Sequence, residues 1–419
     1  MKPKVLVAAT CRWFASARLA MALTKAGCTV TAVCPLSHPL AKTRAAQRIY
    51  IYNGFAPLKT LGDAVAATEP DFILPCDDLA TQQLYDLYSK SRKQGKIGES
   101  ICALIEHSLG SPECLPTVYA RTAFMETAAA EGIRVPSTSV ILNAGELEKC
   151  VGRMGLPLVL KADGTSGGLG VRVAHGIKEA ERAFRALHAP PLLARVIKRA
   201  VLDRDYALLQ PWLLRRQPVV NAQAFVAGHE ATSAMVCWKG TVLASLHFEV
   251  LSKAHAAGHA TVLRLIENAE MAGATEKIAR RLNLSGVHGF DFILEAGTGN
   301  AYLIEMNPRA TQIGHLTLGP GRDLPAALYA ALSGDTLQSA PKLTENDTIA
   351  LFPHEWLRNP QSSFLQSGYH DVPWDEPELV RACIAARTKR HRWYSHISQD
   401  VLSTPPERLA WPEKSAQRN

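Results

Sequence analysis

Residues 289 to 311 read GFDFILEAGTGNAYLIEMNPRAT, a stretch that joins a strong hairpin pattern to charges in places where strands usually avoid them. The apolar runs Phe290 to Leu294 and Tyr302 to Met306 flank the Gly/Asn cluster EAGTGN, the mark of an antiparallel hairpin. With the turn centred near Thr298, Asp291 falls opposite Glu305. Strand alternation puts Glu305, Asn307 and Arg309 on one face, and Pro308 ends regular pairing there. Carboxylates at cross-strand distance repel unless one is protonated or a cation lies between them. Oxygen-only ligands favour a hard ion such as magnesium, which keeps several waters and is held by one or two carboxylates plus nucleotide phosphates. The same residues also suit the wet side of an ordinary amphipathic hairpin, so the pattern needs support from elsewhere in the chain.

A second stretch supplies it. In LPLVLKADGTSGGLGVRVA a Val/Leu-rich strand ends at Lys161, a loop carries Gly164, Gly167, Gly168 and Gly170, and another strand starts at once. Glycines let backbone N–H groups approach phosphate oxygens, and Thr165 and Ser166 add hydroxyl donors, so the loop reads as a flap over phosphates joining two strands. A Walker loop would read GxxxxGK and open a helix instead, which excludes P-loop chemistry. A third piece, YALLQPWL at residues 206 to 213, reads as an apolar strand running into Gln210, Pro211 and Trp212. Such a segment can offer backbone groups to a purine edge, although a tryptophan in a plain core is the commoner use of this pattern.

The first hundred residues alternate strand and helix. KVLVAA, TVTAVCP and DFILPCDD read as strands and Ala15 to Ala26 as a helix ending at Gly27, which gives an open parallel sheet of about four strands. No GxGxxG follows the first strand, so a nicotinamide or flavin site is poorly supported. Asp77 and Asp78 lie at the carboxyl end of a strand, where such sheets place ligands; capping of the helix LATQQLYDLYSK explains them equally well. Helices are also expected over VYARTAFMETAAAEG, Ala144 to Met154, AEMAGATEKIARRLN and DLPAALYAALSGD.

At 419 residues the chain needs more than one core and suggests roughly two to four domains. With 47% hydrophobic and 20% charged residues and no long apolar run, a membrane-embedded role is excluded as an expectation. Arg12 and Arg18 interrupt the apolar run after MKPKV too early for a signal peptide, which implies a buried strand in a cytoplasmic protein. Nine cysteines without a CxxC pair point to reduced thiols and away from structural zinc. The net charge of +8 suits an anionic small molecule, and no nucleic-acid motif accompanies it; the basic run RTKRHRW, Arg387 to Trp393, reads as a solvated helix end.

Taken in order, Lys161 with its glycine loop, the segment reaching Gln210, and GFDFIL followed by YLIEMNPR resemble the ATP-grasp superfamily, in particular its carbamoyl-phosphate synthetase-like branch, over residues 1 to 338. The resemblance implies an α/β and α+β architecture: an N-terminal Rossmann-like parallel sheet (1–110), an ATP-grasp N-terminal lobe with the flap (111–205), a C-terminal lobe with the metal site (206–338) and a small C-terminal extension (339–419). It implies a reaction in which ATP converts a carboxylate to an acylphosphate that an amine then attacks, releasing ADP and phosphate. Carried over by residue, Lys161, Arg121 and Gly164 to Gly170 would meet the phosphates, and Gln210, Pro211, Trp212 and Leu213 would hold adenine. Asp291, Glu305 and Asn307 would bind two magnesium ions, with manganese an admissible substitute, and Arg309 would steady the acylphosphate. Gln217 stands where many members have a ribose-binding glutamate. His259, Arg264 and His315 lie where relatives line the substrate channel. The expected partners are a small carboxylate and an amine, without nucleic acid or membrane. A bicarbonate-using carboxylase or carbamoyl-forming enzyme, and an ATP-binding regulator without turnover, are the alternatives. Packing on the lobes, capping the substrate site and homodimerisation all remain open as roles for residues 339–419, whose last stretch, STPPERLAWPEKSAQRN, reads as loose.

Overall fold

The structure, a computed structural model, describes residues 2–93, 95–165, 168, 170–189, 193–198, 212–213, 217–256, 258–336 and 341–394. Three sheets order it. In the first, β1 (Lys4–Ala8), β2 (Thr29–Cys34), β3 (Ala46–Ile51) and β4 (Phe72–Pro75) run parallel in the order β3-β2-β1-β4. β4 is buried along its length and β1 at all but its first residue, as continuous apolar runs in a sheet covered on both faces require. The fourth strand of the expected sheet is Ala46–Ile51, whose half-exposed mix of polar and apolar side chains hides it. The helix Phe14–Ala26 stops at Gly27, whose φ of 114° favours glycine, and an added Cβ would lie 2.8 Å from the Tyr329 ring.

The second sheet holds β5 (Thr138–Ile141), β6 (Leu158–Ala162), β7 (Val171–Ala174) and β8 (Val220–Ala224), antiparallel in the order β5-β8-β6-β7. Helices Ala144–Met154 and Ile177–His188 bury Leu147, Cys150, Phe184 and Leu187 against it. The third contains β9 (Gly228–Trp238), β10 (Thr241–Lys253), β11 (Ala260–Leu265), β12 (Gly286–Glu295), β13 (Ala301–Asn307), β14 (Thr348–Ala350) and β15 (Tyr369–His370), ordered β13-β12-β9-β10-β11-β14-β15. One hydrophobic core runs from Val5, Leu19 and Leu23 of the parallel sheet and its helix to Val236, Leu246 and Phe248 of this third sheet. Beyond residue 340 the chain extends that sheet by β14 and β15, and its last helix, Pro377–Tyr394, sets Leu379 and Val380 against Phe14 and Ala17.

Two expectations are corrected. The stretch VYARTAFMETAAAEG is not one helix: Leu115–Tyr119 and Arg121–Ala130 are separated by Ala120 in extended conformation, so Arg121 opens a helix. Trp212 and Leu213 are helical where a strand was expected, consistent with a proline just ahead of them, and the rest of that stretch, Gln210 and Pro211 included, lies outside the described residues. Among the described residues no helix is long and apolar enough to cross a membrane, and all nine cysteines are free thiols.

Candidate active site

The hairpin β12–β13 places Gly289 opposite Asn307, Phe290 opposite Met306 and Asp291 opposite Glu305. Just past Asp291 the register shifts by one, since Phe292 faces Leu303, and Ile304 is left over as a bulge. The freed Ile304 carbonyl accepts a hydrogen bond of 3.1 Å from Lys161 Nζ, reaching over from β6. The bulge therefore brings the two sheets together beside the carboxylate pair.

Arg121 comes from a third direction, at the start of its helix. Its NH1 lies 3.0 Å from Glu305 Oε2, its Nε 3.5 Å from Asp163 Oδ1 just past β6, and its NH2 donates to the Thr165 carbonyl at 3.3 Å. Asn221 on β8 donates to Asp163 at 2.8 Å and accepts from Thr122 at 2.7 Å, which locks Asp163 in place. On the hairpin, Thr232 and Asn307 donate to Asp291 at 3.0 and 3.1 Å. Arg309 donates to Asn307 Oδ1 at 3.2 Å and, through Nε, to Asp78 Oδ1 at 3.0 Å. The carboxyl end of the parallel sheet thus touches the hairpin. Asp77 takes the capping role, accepting from Ala80 N at 2.8 Å and from Thr10 N and Oγ1, and Asp78 holds Arg309.

These charges shift one another. Burial, reinforced by the Glu305 charge, raises the Asp291 carboxyl to about 6, against hydrogen bonds from Thr232 and Asn307. Burial also pushes Glu305 upward, yet Arg121 and Lys161 outweigh it and leave Glu305 below the usual carboxylate range. Burial draws the Lys161 ammonium down to about 8, opposed by Glu305 and Asp291. For Arg309 burial opposes the charge, but Asp78 overcomes it and the guanidinium is held charged.

The flap loop is shaped by glycine. Gly164 and Gly168 take φ of 69° and 74°, and a Cβ on Gly170 would overlap Thr165 Oγ1, which donates to the Ala162 carbonyl at 2.7 Å. Ser166 and Gly167 lie outside the described residues. Gln217 is exposed. Of the substrate candidates, Arg264 pairs with Glu249 on the surface, while His259 and His315 both face the end of the parallel sheet near His354 and Asp371. Sequence reasoning missed Asp163 and left the role of Asp78 open; the local signals were the place of Asp163 directly after β6 and that of Asp78 at the start of the helix that follows β4.

Asp291, Glu305 and Asn307 fit a divalent cation of the magnesium type. They present oxygen acceptors and an amide on one hairpin, with the two carboxylates directly opposite each other across the strands. No group of three or more His, Cys, Asp or Glu suited to a self-sufficient metal cage occurs among the described residues. A cavity of about 350 Å³ at Val135–Ser137, Ala224–Ala227, Glu295, Ala296 and Tyr302 lies at the turn end of the hairpin, away from Lys161 and Arg121, and among the described residues its lining carries no basic side chain.

Residues 120–317 match the family model described as carbamoyl-phosphate synthase L chain, ATP binding domain. The chain is 23% identical over 256 residues to the carbamoyl phosphate synthase large chain of Rubrobacter xylanophilus, covering 61% of this chain and 22% of that one. It is 26% identical over 198 residues to the N-terminal section of the Aquifex aeolicus large chain, covering 46% and 32%. The chain therefore spans a third or less of the length of these relatives. Among solved structures, the biotin carboxylase–β-γ-ATP complex from Campylobacter jejuni aligns with a TM-score of 0.58 at 15% identity, covering 83% of this chain and 74% of the other. N5-carboxyaminoimidazole synthetase of Staphylococcus aureus complexed with ADP aligns at 0.56 and 14%, covering 81% and 80%. At these identities the likeness speaks for the fold.

Proposed function

We propose, from the premise that residues 120–317 are an ATP-grasp domain of the carbamoyl-phosphate synthase large-chain kind, that this chain is an ATP-dependent ligase joining a carboxylate to an amine with release of ADP and phosphate. The observation that carries this reading is the convergence of Lys161 and Arg121, from separate elements, on the Asp291–Glu305 pair. Three groups of charge, brought from three places to one hairpin, are costly to bury unless they serve a function.

In this reading Lys161, Arg121 and the flap hold the triphosphate. Arginine suits its place because its guanidinium stays charged and makes forked contacts with phosphate. A divalent cation on Asp291, Glu305 and Asn307 would spread the charge of the transferred phosphoryl group when bound. Asn307 and Asp78 aim Arg309, which meets the acylphosphate. Closure of the flap keeps water from that intermediate.

The test is an ADP-release screen of the full chain against amino acids, other carboxylates and bicarbonate, with mass detection of the product. Lys161→Ala and Glu305→Gln are expected to abolish ADP release with the acid found. Wild-type turnover in either variant would overturn the site, and product formation from bicarbonate alone would favour a carboxylase.

A further inference from the structure

One residue joins the two cations assigned to the triphosphate. Asn221 lies on β8, an inner strand of the second sheet, directly across from Lys161 on β6. Its neighbours Val220 and Ala222 point into the hydrophobic core with Leu158 and Leu160, while Asn221, 1% exposed, points to the face that carries the Lys161 side chain. An amide buried on an inner strand costs stability unless its polar atoms are paired, and an apolar side chain would fill the place at less cost.

Both ends of this amide are paired. Asn221 Oδ1 accepts from Thr122 Oγ1 at 2.7 Å, and Nδ2 donates to Asp163 Oδ1 at 2.8 Å and to the Lys161 carbonyl at 3.5 Å. An ionised Asp163 can only accept, which fixes the NH2 end of the amide toward it. Thr122 is the second residue of the helix that Arg121 opens. A single side chain therefore ties the first turn of that helix to the end of the strand that bears Lys161, and so sets the spacing of the two cations.

Asp163 carries the link on to the guanidinium. Its backbone N–H donates to the Val219 carbonyl at 2.8 Å, so the residue is held at both backbone and side chain. Burial raises its carboxyl, opposed by Arg121 and Asn221. Arg121 Nε is 3.5 Å from Asp163 Oδ1 and is buried without a hydrogen bond, whereas NH1 and NH2 reach Glu305 and the Thr165 carbonyl. A shift of about half an ångström would turn the Nε contact into a hydrogen bond. Resting on the ATP-binding part of the reading above, we propose that Asn221 and Asp163 are positioning residues for the nucleotide. Asn221 spaces Lys161 and Arg121, and Asp163 keeps hold of the Nε edge while NH1 passes from Glu305 to phosphate. Arg121 then pivots about a fixed carboxylate instead of swinging free, and its entropy of ordering is met before the nucleotide arrives.

The test reads nucleotide affinity apart from turnover. The full chain is titrated calorimetrically with magnesium and the β,γ-imido analogue of ATP, which needs neither acid nor amine. Asp163→Asn keeps the shape and an acceptor for Asn221 but removes the charge; Asn221→Leu keeps the volume and removes the side-chain bonds. Each is expected to raise the Kd about tenfold, the worth of one charge-assisted hydrogen bond. With the acid found by the screen, the KM for ATP should rise likewise while kcat stays within about threefold, since these contacts serve ground and transition states alike. The exchanged pair, Asp163→Asn with Asn221→Asp, restores an amide–carboxylate bond and moves the charge off the Nε edge. It should recover thermal stability lost in Asn221→Leu and leave the Kd raised. Recovery of the Kd by the exchange, or an unchanged Kd in Asp163→Asn, would mean that the pair is structural only and overturns the proposal. Should Asn221→Leu fail to fold, Asp163→Asn and the exchanged pair decide. Absence of nucleotide binding in the wild type would instead overturn the ATP-binding reading itself.

Discussion

The ion pair between Arg121 and Glu305 invites a double-mutant cycle, because it is the direct charge contact between the helix that opens at Arg121 and the hairpin. The charged atoms are 3.0 Å apart and the side chains 14% and 24% exposed. At an effective dielectric of about 20 the bare attraction is about 5 kcal/mol, most of which the loss of hydration offsets. A charge-assisted hydrogen bond of this kind is worth about 1.5–3 kcal/mol net, and the partial exposure argues for the lower end. Arg121→Met alone should cost more, about 3–5 kcal/mol, because it strands both Glu305 and Asp163. Glu305→Gln should cost less, since Arg121 keeps Asp163. Urea unfolding of wild type, both singles and the double variant should then give a coupling of about 1.5–2 kcal/mol. Repeating the cycle with magnesium and ADP should shrink the coupling, because phosphate oxygens and the metal give both partners new company. A coupling under about 0.5 kcal/mol without nucleotide would refute the claim that this pair bridges the lobes.

Asp78→Asn should lower kcat by about tenfold or more while leaving the KM for ATP near wild type, since it slackens Arg309 without touching the phosphate-binding residues; steady-state kinetics decide, and a rise in the KM for ATP alone would count against it. Buried histidines predict acid lability. Burial pulls His38 and His354 down to about 3 and His247, His288 and His370 to about 4. A lowered folded value means the unfolded chain binds more protons, so the stability these groups allow is intact above about 6.5 and is lost as pH falls toward 4. Thermal melts between pH 7.5 and 4.5 should show a steep fall below about 6.5, and a flat profile would contradict the buried neutral rings.

The parts of the site that lie along one hairpin were readable from the sequence. Asp291 opposite Glu305, with Asn307 and Arg309 following, comes from alternation and a turn centre, both local properties. The bulge at Ile304 was not readable, because an extra apolar residue leaves the polarity pattern of LIEMN unchanged. Nor were the partners drawn from afar. Asp163 and Asp78 are acidic residues after strands, as capping or turn residues also are, and only the packing of three sheets shows that they face Arg121 and Arg309. Arg264 shows the converse. It lies in the same strand region as His259, but alternation turns it to Glu249, its cross-strand partner on β10, at the surface. The parallel sheet was readable where strands are buried on both faces, and β3 was missed because its partly exposed side chains mix polar and apolar.

The cations proposed to meet the substrate's phosphates, Arg121, Lys161 and Arg309, already face Glu305, Asp163, Asp291 and Asp78. A polyanion entering such a site gains little if it must compete with these carboxylates for their cations. It gains much more if a divalent ion takes over Asp291 and Glu305 at the same time and releases Arg121 and Lys161 toward phosphate. Metal and nucleotide then bind as linked events, each improving the site for the other. The pairs seen here thus hold the cations in place and keep the buried charge balanced until that exchange occurs. The ion pair of Arg309 with Asp78 extends the same linkage to the parallel sheet, since whatever draws Arg309 toward the reacting group also loosens its hold on the helix that follows β4.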